Sequence, residues 1–174
     1  LGHQIIIRSD KIDLLENQSV MSLDSMIKSS VLRGGIASFG THEFLKKYEK
    51  EKNNLRITYL LEAYDQLLDM LFLGRVDYIV QYAPVAIYNE KMKGLTGSLK
   101  SVTIEESLTD PYVKVYTACA DTEIGRHIIN TVNKVLTRER FGTKLEEIQL
   151  RWYDENSRDM LRSYYKKEYD LENK

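Results

Sequence analysis

The chain has few of the residues and runs that indicate a disulfide scaffold or a membrane protein. Cys119 is its only cysteine, so no internal disulfide can form. A plain structural role is favoured for this thiol, because no histidine or asparagine lies near it in the sequence. Apolar runs such as Ile5–Ile7 and Tyr59–Leu61 are far shorter than the ~20 residues that a transmembrane helix needs. The sequence therefore predicts no membrane-spanning helix.

An excess of one charge and the common catalytic motifs are also missing. The 25 lysines and arginines nearly balance the 26 aspartates and glutamates, so no overall field favours nucleic acid or an anionic surface. There is no Gly-x-Ser-x-Gly, phosphate-binding loop, dinucleotide-binding turn or zinc-binding helix motif. The three histidines, His3, His42 and His127, are too scattered to suggest a metal site. We therefore predict a protein that is not an enzyme and that uses no metal or cofactor.

The apolar pattern alternates between strands and amphipathic helices, which is typical of a parallel α/β sheet with right-handed crossovers. The predicted strands are 1–9, 36–38, 55–60, 76–81, 99–105 and 113–118. The predicted helices are 23–30, 42–52, 63–73, 84–93, 121–138, 143–152 and 155–169. Single residues set several boundaries: Ser22 and Thr41 are placed to cap helices, Gly74 ends one, and Pro84 lies in the first turn of another.

Several segments together resemble the periplasmic solute-binding proteins of the amino-acid ABC transporter type (family 3-like), in an uncharacterised branch. The main ones are 35–38 (Gly-Ile-Ala-Ser), 74–78 (Gly-Arg-Val-Asp-Tyr), 118–125 and 151–152 (Arg-Trp), and 22–26 and 104–105 complete the set. Their order and spacing carry the resemblance, which covers most of the chain. It implies a type II periplasmic-binding fold that captures a small solute and makes or breaks no bond.

The resemblance also implies a division of the chain. Residues 1–9 would form a hinge or crossover strand, residues 10–112 the α/β ligand-binding lobe, and residues 113–174 a return crossover with C-terminal helices that belong to the first lobe. Most of that first lobe, and a signal peptide before it, would precede Leu1. The expected location is the periplasm or the extracellular side of the membrane.

Candidate binding residues come from the ends of two strands, where ligands sit in open α/β sheets. After the first strand, Ser38, Phe39, Gly40 and Thr41 could offer a hydroxyl and backbone N–H groups to a carboxylate at a helix start. A simple capping role for Thr41 is equally favoured. After the Gly-Arg-Val-Asp strand, Gln81 and Tyr82 form the second part of the site.

Tyr82 departs from the pattern that the resemblance implies. Amino-acid-binding relatives have an aspartate at this strand end, where it pairs with the ligand's α-ammonium group. A phenol cannot neutralise an ammonium group, although its face can hold a cation with about 0.5–2 kcal/mol. A half-buried structural tyrosine is an equally good interpretation. Asp77 is assigned a structural role, and Asp121 or Thr122 a capping role.

The function predicted from these residues is capture of a small polar, amino-acid-like solute in a hinged cleft between lobes, for transport. The implied partners are the solute and an ABC transporter permease, without nucleic acid or membrane insertion. The alternatives are a sensory or interaction module of the same fold and a lobe that forms a dimer through its exposed face.

Overall fold

A computed structural model describes residues 2–37, 43–50, 56–59, 64–109, 116–140, 143–153 and 155–169. The strands are β1 (His3–Arg8), β2 (Val20–Met21), β3 (Gly34–Ile36), β4 (Ile57–Tyr59), β5 (Tyr78–Tyr82) and β6 (Leu99–Ile104). The helices are α1 (Leu23–Lys28), α2 (Glu43–Lys46), α3 (Tyr64–Phe72), α4 (Ala83–Met92), α5 (Glu123–Arg140), α6 (Thr143–Leu150) and α7 (Glu155–Tyr169), with 3₁₀ helices at Ser9–Leu15 and Glu105–Ser107.

The strands form one six-stranded sheet in the order β2-β6-β1-β5-β3-β4. The α/β class predicted from the sequence is confirmed, with one difference in strand direction. Strand β1 runs antiparallel to both of its neighbours, β5 and β6, whereas the β3–β4, β3–β5 and β2–β6 pairs are parallel. Five strands therefore point the same way, and β1 alone runs against them.

The position of β1 at the centre of the sheet follows from its sequence. Its three consecutive isoleucines, Ile5, Ile6 and Ile7, are at most 1% exposed, as expected for a strand covered on both faces. Ile5 and Ile7 pack in a core with α1 and the 3₁₀ helix, and Ile6 packs on the opposite face with α3 and α4. The sheet thus has a helical layer on each side.

Two of the predicted helix boundaries rest on hydrogen bonds in the structure. The Ser22 hydroxyl accepts from the Ser25 backbone N–H at the start of α1. Gly74 has a φ of 67° and follows α3, and the Arg75 N–H donates to the Met70 carbonyl over 2.8 Å. Glycine adopts this left-handed conformation without steric cost, which explains why the helix ends there.

The C-terminal region differs from the prediction in two respects. Residues 116–118, predicted as the end of a strand at 113–118, are not in the sheet; the remainder of that predicted strand lies outside the described residues. The apolar stripe of α5 was predicted correctly as a pattern, but much of it is exposed, with Ile124 at 73% and Ile128 at 44%. The division of the chain at residues 9 and 112 stays a prediction.

Helices α6 and α7 continue the chain back to the lobe. The Trp152 ring, between them, meets the Tyr88 ring of α4 edge-on at 5.6 Å, and the Lys91 ammonium lies 5.5 Å from the indole centroid. Tyr153 packs against the core under α3 and α4, and its burial raises its pKa to about 12. Among the helices that the structure describes, none is long and apolar enough to cross a bilayer.

Candidate functional site at the strand ends

Strand direction gathers the candidate residues at one edge of the sheet. Because β2 to β6 all run one way, their carboxyl ends meet at the same edge, and the antiparallel β1 places its first residues there as well. This strand-end edge contains Tyr82, where β5 ends, and His3, where β1 begins. Edges of this kind are where ligands bind in open α/β sheets.

His3 and Tyr82 form an aromatic pair at this edge. The two residues are direct partners in the β1–β5 ladder, and their ring centroids lie 4.0 Å apart with 37° between the ring planes. The His3 side chain is buried, whereas Tyr82 is half-buried. Within the described part of the chain the Tyr82 hydroxyl makes no hydrogen bond. Tyr82 therefore presents part of its ring and one available hydroxyl, and the buried His3 ring packs against it.

Gln81 points to the opposite face of the sheet from Tyr82. It is paired with Gln4 of β1, and the alternation of the strand places it with Ile79 on the face covered by α3 and α4. Its side chain is 1% exposed, and neither its amide oxygen nor its amide nitrogen has a hydrogen-bond partner. A buried amide without partners costs roughly 1–3 kcal/mol, so Gln81 is an unusual residue in this core.

Gln4 shares this face but has partners from α7. Its amide nitrogen donates to the Ser157 hydroxyl over 3.1 Å, and the hydroxyls of Ser157 and Ser101 are 3.4 Å apart. Ser157 is 2% exposed. These uncharged polar side chains attach α7 to the neighbouring strands β1 and β6.

A carboxylate at the same edge is fully engaged in holding the fold together. The Glu106 side chain, just beyond β6, accepts hydrogen bonds from the Ser22 hydroxyl at 2.8 Å, the backbone N–H groups of Leu23 and Asp24 at 2.9 and 3.0 Å, and the Tyr48 hydroxyl at 3.2 Å. It thus ties the end of β6 to the start of α1 and to the segment after α2.

The protonation behaviour of this group follows from its contacts. Burial by itself raises the pKa of Glu106, but the N–H groups of Asp24 and Leu23 and the Ser22 hydroxyl together outweigh it, and the net pKa lies below the usual glutamate value. The pKa of Tyr48 is raised, first by burial and then by the nearby Glu106 charge. Glu106 therefore acts as an ionised structural acceptor with its donors already supplied.

Asp77 has the structural role that the sequence indicated. Its carboxylate accepts from the Arg33 backbone N–H over 2.8 Å and from the Arg33 guanidinium over 3.2 Å. The Asp77 N–H donates in return to the Arg33 carbonyl over 2.7 Å. These bonds hold the chain before β3 against the chain before β5, at the edge opposite the candidate site.

The structure describes part of the predicted site. Gln81 and Tyr82 lie together at the end of β5, on opposite faces. Ser38, Phe39, Gly40 and Thr41 lie outside the described residues, and so does His42. In the ranges that the structure describes, no group of three or more histidine, cysteine, aspartate or glutamate side chains could hold a metal ion.

His3 and Gln4 lie beside the candidate residues at this edge, and the sequence alone did not identify them. Both reach the candidate edge only because β1 pairs antiparallel with β5, placing His3 beside Tyr82 and Gln4 beside Gln81. The run of three isoleucines predicts burial of β1 but carries no signal for its direction. The sequence therefore offered no way to join these residues to Tyr82.

A cavity of about 250 Å³ lies elsewhere, beside the outer strand β6. Its lining includes Ile12, Asn17, Lys100 and Glu155. These residues come from the 3₁₀ helix region, the early part of β6 and the start of α7, so the cavity is separate from the strand-end edge.

Solved structures share this fold. The chain is similar to the probable amino-acid ABC transporter extracellular-binding protein ytmK from Bacillus subtilis, with a TM-score of 0.55 and 17% identity over 89% of this chain and 60% of that one. It is similar to an ancestral cationic amino acid solute-binding protein, with a TM-score of 0.51 and 16% identity over 88% of this chain and 58% of that one. An ancestral cyclohexadienyl dehydratase also matches, with a TM-score of 0.40 and 16% identity over 87% of this chain and 56% of that one.

The first two matches establish a common fold at low identity. No protein-family model matches the chain, and comparison with curated protein sequences gives no match. The chain spans 56–60% of the length of these three structures. The α/β architecture is thus that of amino-acid solute-binding proteins.

Proposed function

We propose that the protein is an extracytoplasmic solute-binding protein that captures a small polar solute at the strand-end edge and delivers it for transport. The observation that carries this proposal is the His3–Tyr82 pair. It lies where five strands end, with ring centroids 4.0 Å apart and one hydroxyl available for a ligand. The two structures of the same fold at TM-scores above 0.5 are described as a transporter binding protein and an amino acid binding protein, which supports the same function.

The strand-end edge would form one wall of a cleft. Ser38, Phe39, Gly40 and Thr41 would follow β3 at this edge, beside Gln81 and Tyr82 at the end of β5. A second lobe would supply the other wall, and a hinge motion through the two predicted crossovers, near residues 5–9 and 113–118, would close the cleft. A ligand favours the closed state only through the additional contacts that it makes there, so binding to this wall alone should be weak.

A binding role rather than catalysis fits the groups at the edge. The Glu106 carboxylate accepts four hydrogen bonds from its own fold, so it is occupied as a structural group rather than poised to move a proton. Delivery to a permease and a periplasmic or extracellular location belong to the same proposal.

The experiment that tests this function is isothermal titration calorimetry on the full-length protein with a panel of amino acids, 2-oxo acids and other small polar solutes. We expect saturable binding of one solute per protein, and weaker binding of that solute by the Tyr82→Ala variant. Val31→Ala is the control, because Val31 is 72% exposed and lies before β3, at the edge opposite the site. Equal affinities of the wild type and the Tyr82→Ala variant would contradict the proposed site.

Self-association is a second candidate, favoured by the exposed stripe of α5. Ile124, Ile128, Val135 and Leu136 are each at least 44% exposed, and a second copy could cover them. Sedimentation equilibrium should then show a dimer that Ile128→Lys dissociates. A monomer at all concentrations would exclude this candidate.

A further inference from the structure

The start of α4 lacks the negative partner that most helix starts have. Tyr82 is the N-cap residue, and its side chain makes no capping hydrogen bond. The first turn contains Pro84 and no acidic residue. The first N–H groups of a helix have no acceptor within the helix, and they carry its partial positive charge. This end of α4 therefore favours an anion, and it lies at the strand-end edge directly after β5.

Gln81 is a second, independent sign of a missing ligand at this place. It immediately precedes the N-cap, and its side chain lies on the sheet face against which Ala83 and Ala86, in the first turn of α4, pack. Both of its amide atoms are buried without a partner. Buried amides in native proteins almost always have partners, so an amide whose oxygen acceptor and nitrogen donor both remain unsatisfied indicates a group that arrives from outside.

The third component is the aromatic pair. The Tyr82 hydroxyl can donate to an acceptor, and the half-buried Tyr82 ring, packed against the buried His3 ring, offers a surface for a flat molecule. An ammonium group at this place would meet the positive helix end, and the Glu106 carboxylate beyond β6 is already occupied by Ser22, Leu23, Asp24 and Tyr48.

We propose that this wall binds the carboxylate of a small organic acid at the start of α4, with Tyr82 as the residue that selects against an ammonium group. The proposal rests on the solute-binding function and specifies its ligand class: carboxylates, of the 2-oxo acid kind, in preference to the amino acids of the same carbon skeleton. Tyr82 is then a specificity-determining residue that contacts the ligand directly.

Paired ligands test the proposal on the full-length protein by calorimetry at pH 7. The probes are phenylpyruvate against L-phenylalanine and 2-oxoglutarate against L-glutamate. We expect one oxo acid to bind at least about tenfold more tightly than its amino acid, the ratio that 1.4 kcal/mol represents. The members of each pair share the carboxylate and the side chain and differ only at C2, where an ammonium group replaces the carbonyl.

Two variants at Tyr82 distinguish the effect of an added negative charge on ligand affinity from the effect of a smaller side chain. Tyr82→Asp and Tyr82→Asn place side chains of nearly equal size at the N-cap, and both cap a helix well, so α4 should still form. The aspartate should weaken oxo acid binding about tenfold more than the asparagine does, because it neutralises the positive helix end. Val31→Asp adds the same charge at an exposed position before β3, at the opposite edge, and should leave the affinity unchanged.

Gln81→Met tests the role of the unsatisfied amide. Methionine fills a similar volume without polar atoms, so the variant should be at least as stable as the wild type to urea. If the amide serves the ligand, the affinity for the oxo acid falls several-fold in this stable variant. Unchanged affinity would show that Gln81 has no part in binding and would overturn this part of the proposal.

The outcomes distinguish the proposal from the function on which it rests. Tighter binding of the amino acids, or equal effects of Tyr82→Asp and Tyr82→Asn, would overturn the carboxylate selection and leave the solute-binding function standing. Absence of saturable binding for every probe, together with failure of the wider solute panel, would overturn the solute-binding function itself.

Discussion

Removing the charge of Glu106 should destabilise the protein although the residue is only half-buried. Its carboxylate accepts four hydrogen bonds, from the Ser22 hydroxyl, the Leu23 and Asp24 N–H groups and the Tyr48 hydroxyl, at 2.8–3.2 Å. A buried hydrogen bond to a charged group contributes roughly 1.5–3 kcal/mol, but solvent screening reduces this at a half-exposed site. Glutamine retains an oxygen acceptor and loses the charge.

We therefore expect Glu106→Gln to lower the free energy of unfolding by about 1–2 kcal/mol, measured by urea unfolding at pH 7. Glu105→Gln is the matched control, because Glu105 is the adjacent residue and is exposed. Glu105→Gln removes the same charge and should change the free energy of unfolding by less than about 0.5 kcal/mol. Equal effects of the two substitutions would refute the conclusion that Glu106 holds β6 to α1.

The pH dependence provides a second check on the same contact. Because the pKa of Glu106 is lowered in the folded state, its stabilisation is complete above the unfolded-state pKa of about 4.3 and is lost as the pH falls through the lower folded-state value. The difference between the wild type and Glu106→Gln should be constant from pH 6 to 8, within about 0.3 kcal/mol, and should shrink below about pH 4. A difference that grows on acidification would contradict the assignment.

Three further substitutions test the packing and capping of the fold. Gly34→Ala should cost about 1–3 kcal/mol in thermal unfolding, since an added Cβ would lie 2.5 Å from both Cζ and Oη of Tyr78; a neutral result would mean that the ring can move aside. Tyr78→Phe should leave the free energy of unfolding unchanged or raise it, because it removes a buried hydroxyl without a partner. A clear loss of stability would reveal a partner for that hydroxyl. Thr122→Val should reduce the helical circular dichroism and lower the free energy of unfolding by about 1 kcal/mol, since the Thr122 hydroxyl accepts from the Gly125 N–H over 3.0 Å. Thr131→Val, inside the same helix, is the control. Equal effects of the two substitutions would argue against capping by Thr122.

Local features of the sequence predicted the local features of the fold. Ser22 was expected to cap α1 and Gly74 to end α3, and both do so. In each case a single side chain, or its absence, sets the backbone geometry, and residues distant in sequence have little influence. The strand cores at 57–59 and 99–104 were likewise within the predicted segments.

Features that depend on distant residues were not predictable. The direction of β1 depends on which strands flank it, and Ile5, Ile6 and Ile7 would be equally buried in either direction. Strand β2 has only two residues, too few for a period of two to be visible. The apolar stripe of α5 indicated a buried face, but the exposure of Ile124 shows that a pattern identifies a face without identifying what covers it.

The same distinction applies to the candidate site. Tyr82 was accessible to sequence analysis because it follows a recognisable strand. His3 was not accessible in this way, because its contact with Tyr82 joins residues far apart in the sequence through an antiparallel ladder. Gln81 was identified as a site residue, but its burial without partners could be seen only once α4 was in place.

The measurement that most directly tests the account is NMR chemical-shift mapping on the isotopically labelled full-length protein, titrated with the tightest-binding acid of the panel. If the strand ends bind the acid, we expect the largest chemical-shift changes at the strand-end edge, in the backbone amides of His3, Tyr82 and Ala83 and in the side-chain amide of Gln81. The opposite edge, where the Ser9 N–H donates to the Ser98 carbonyl, should not respond. Saturable shifts confined to that opposite edge, or to the cavity beside β6, would contradict the central claim that the strand ends form the binding wall.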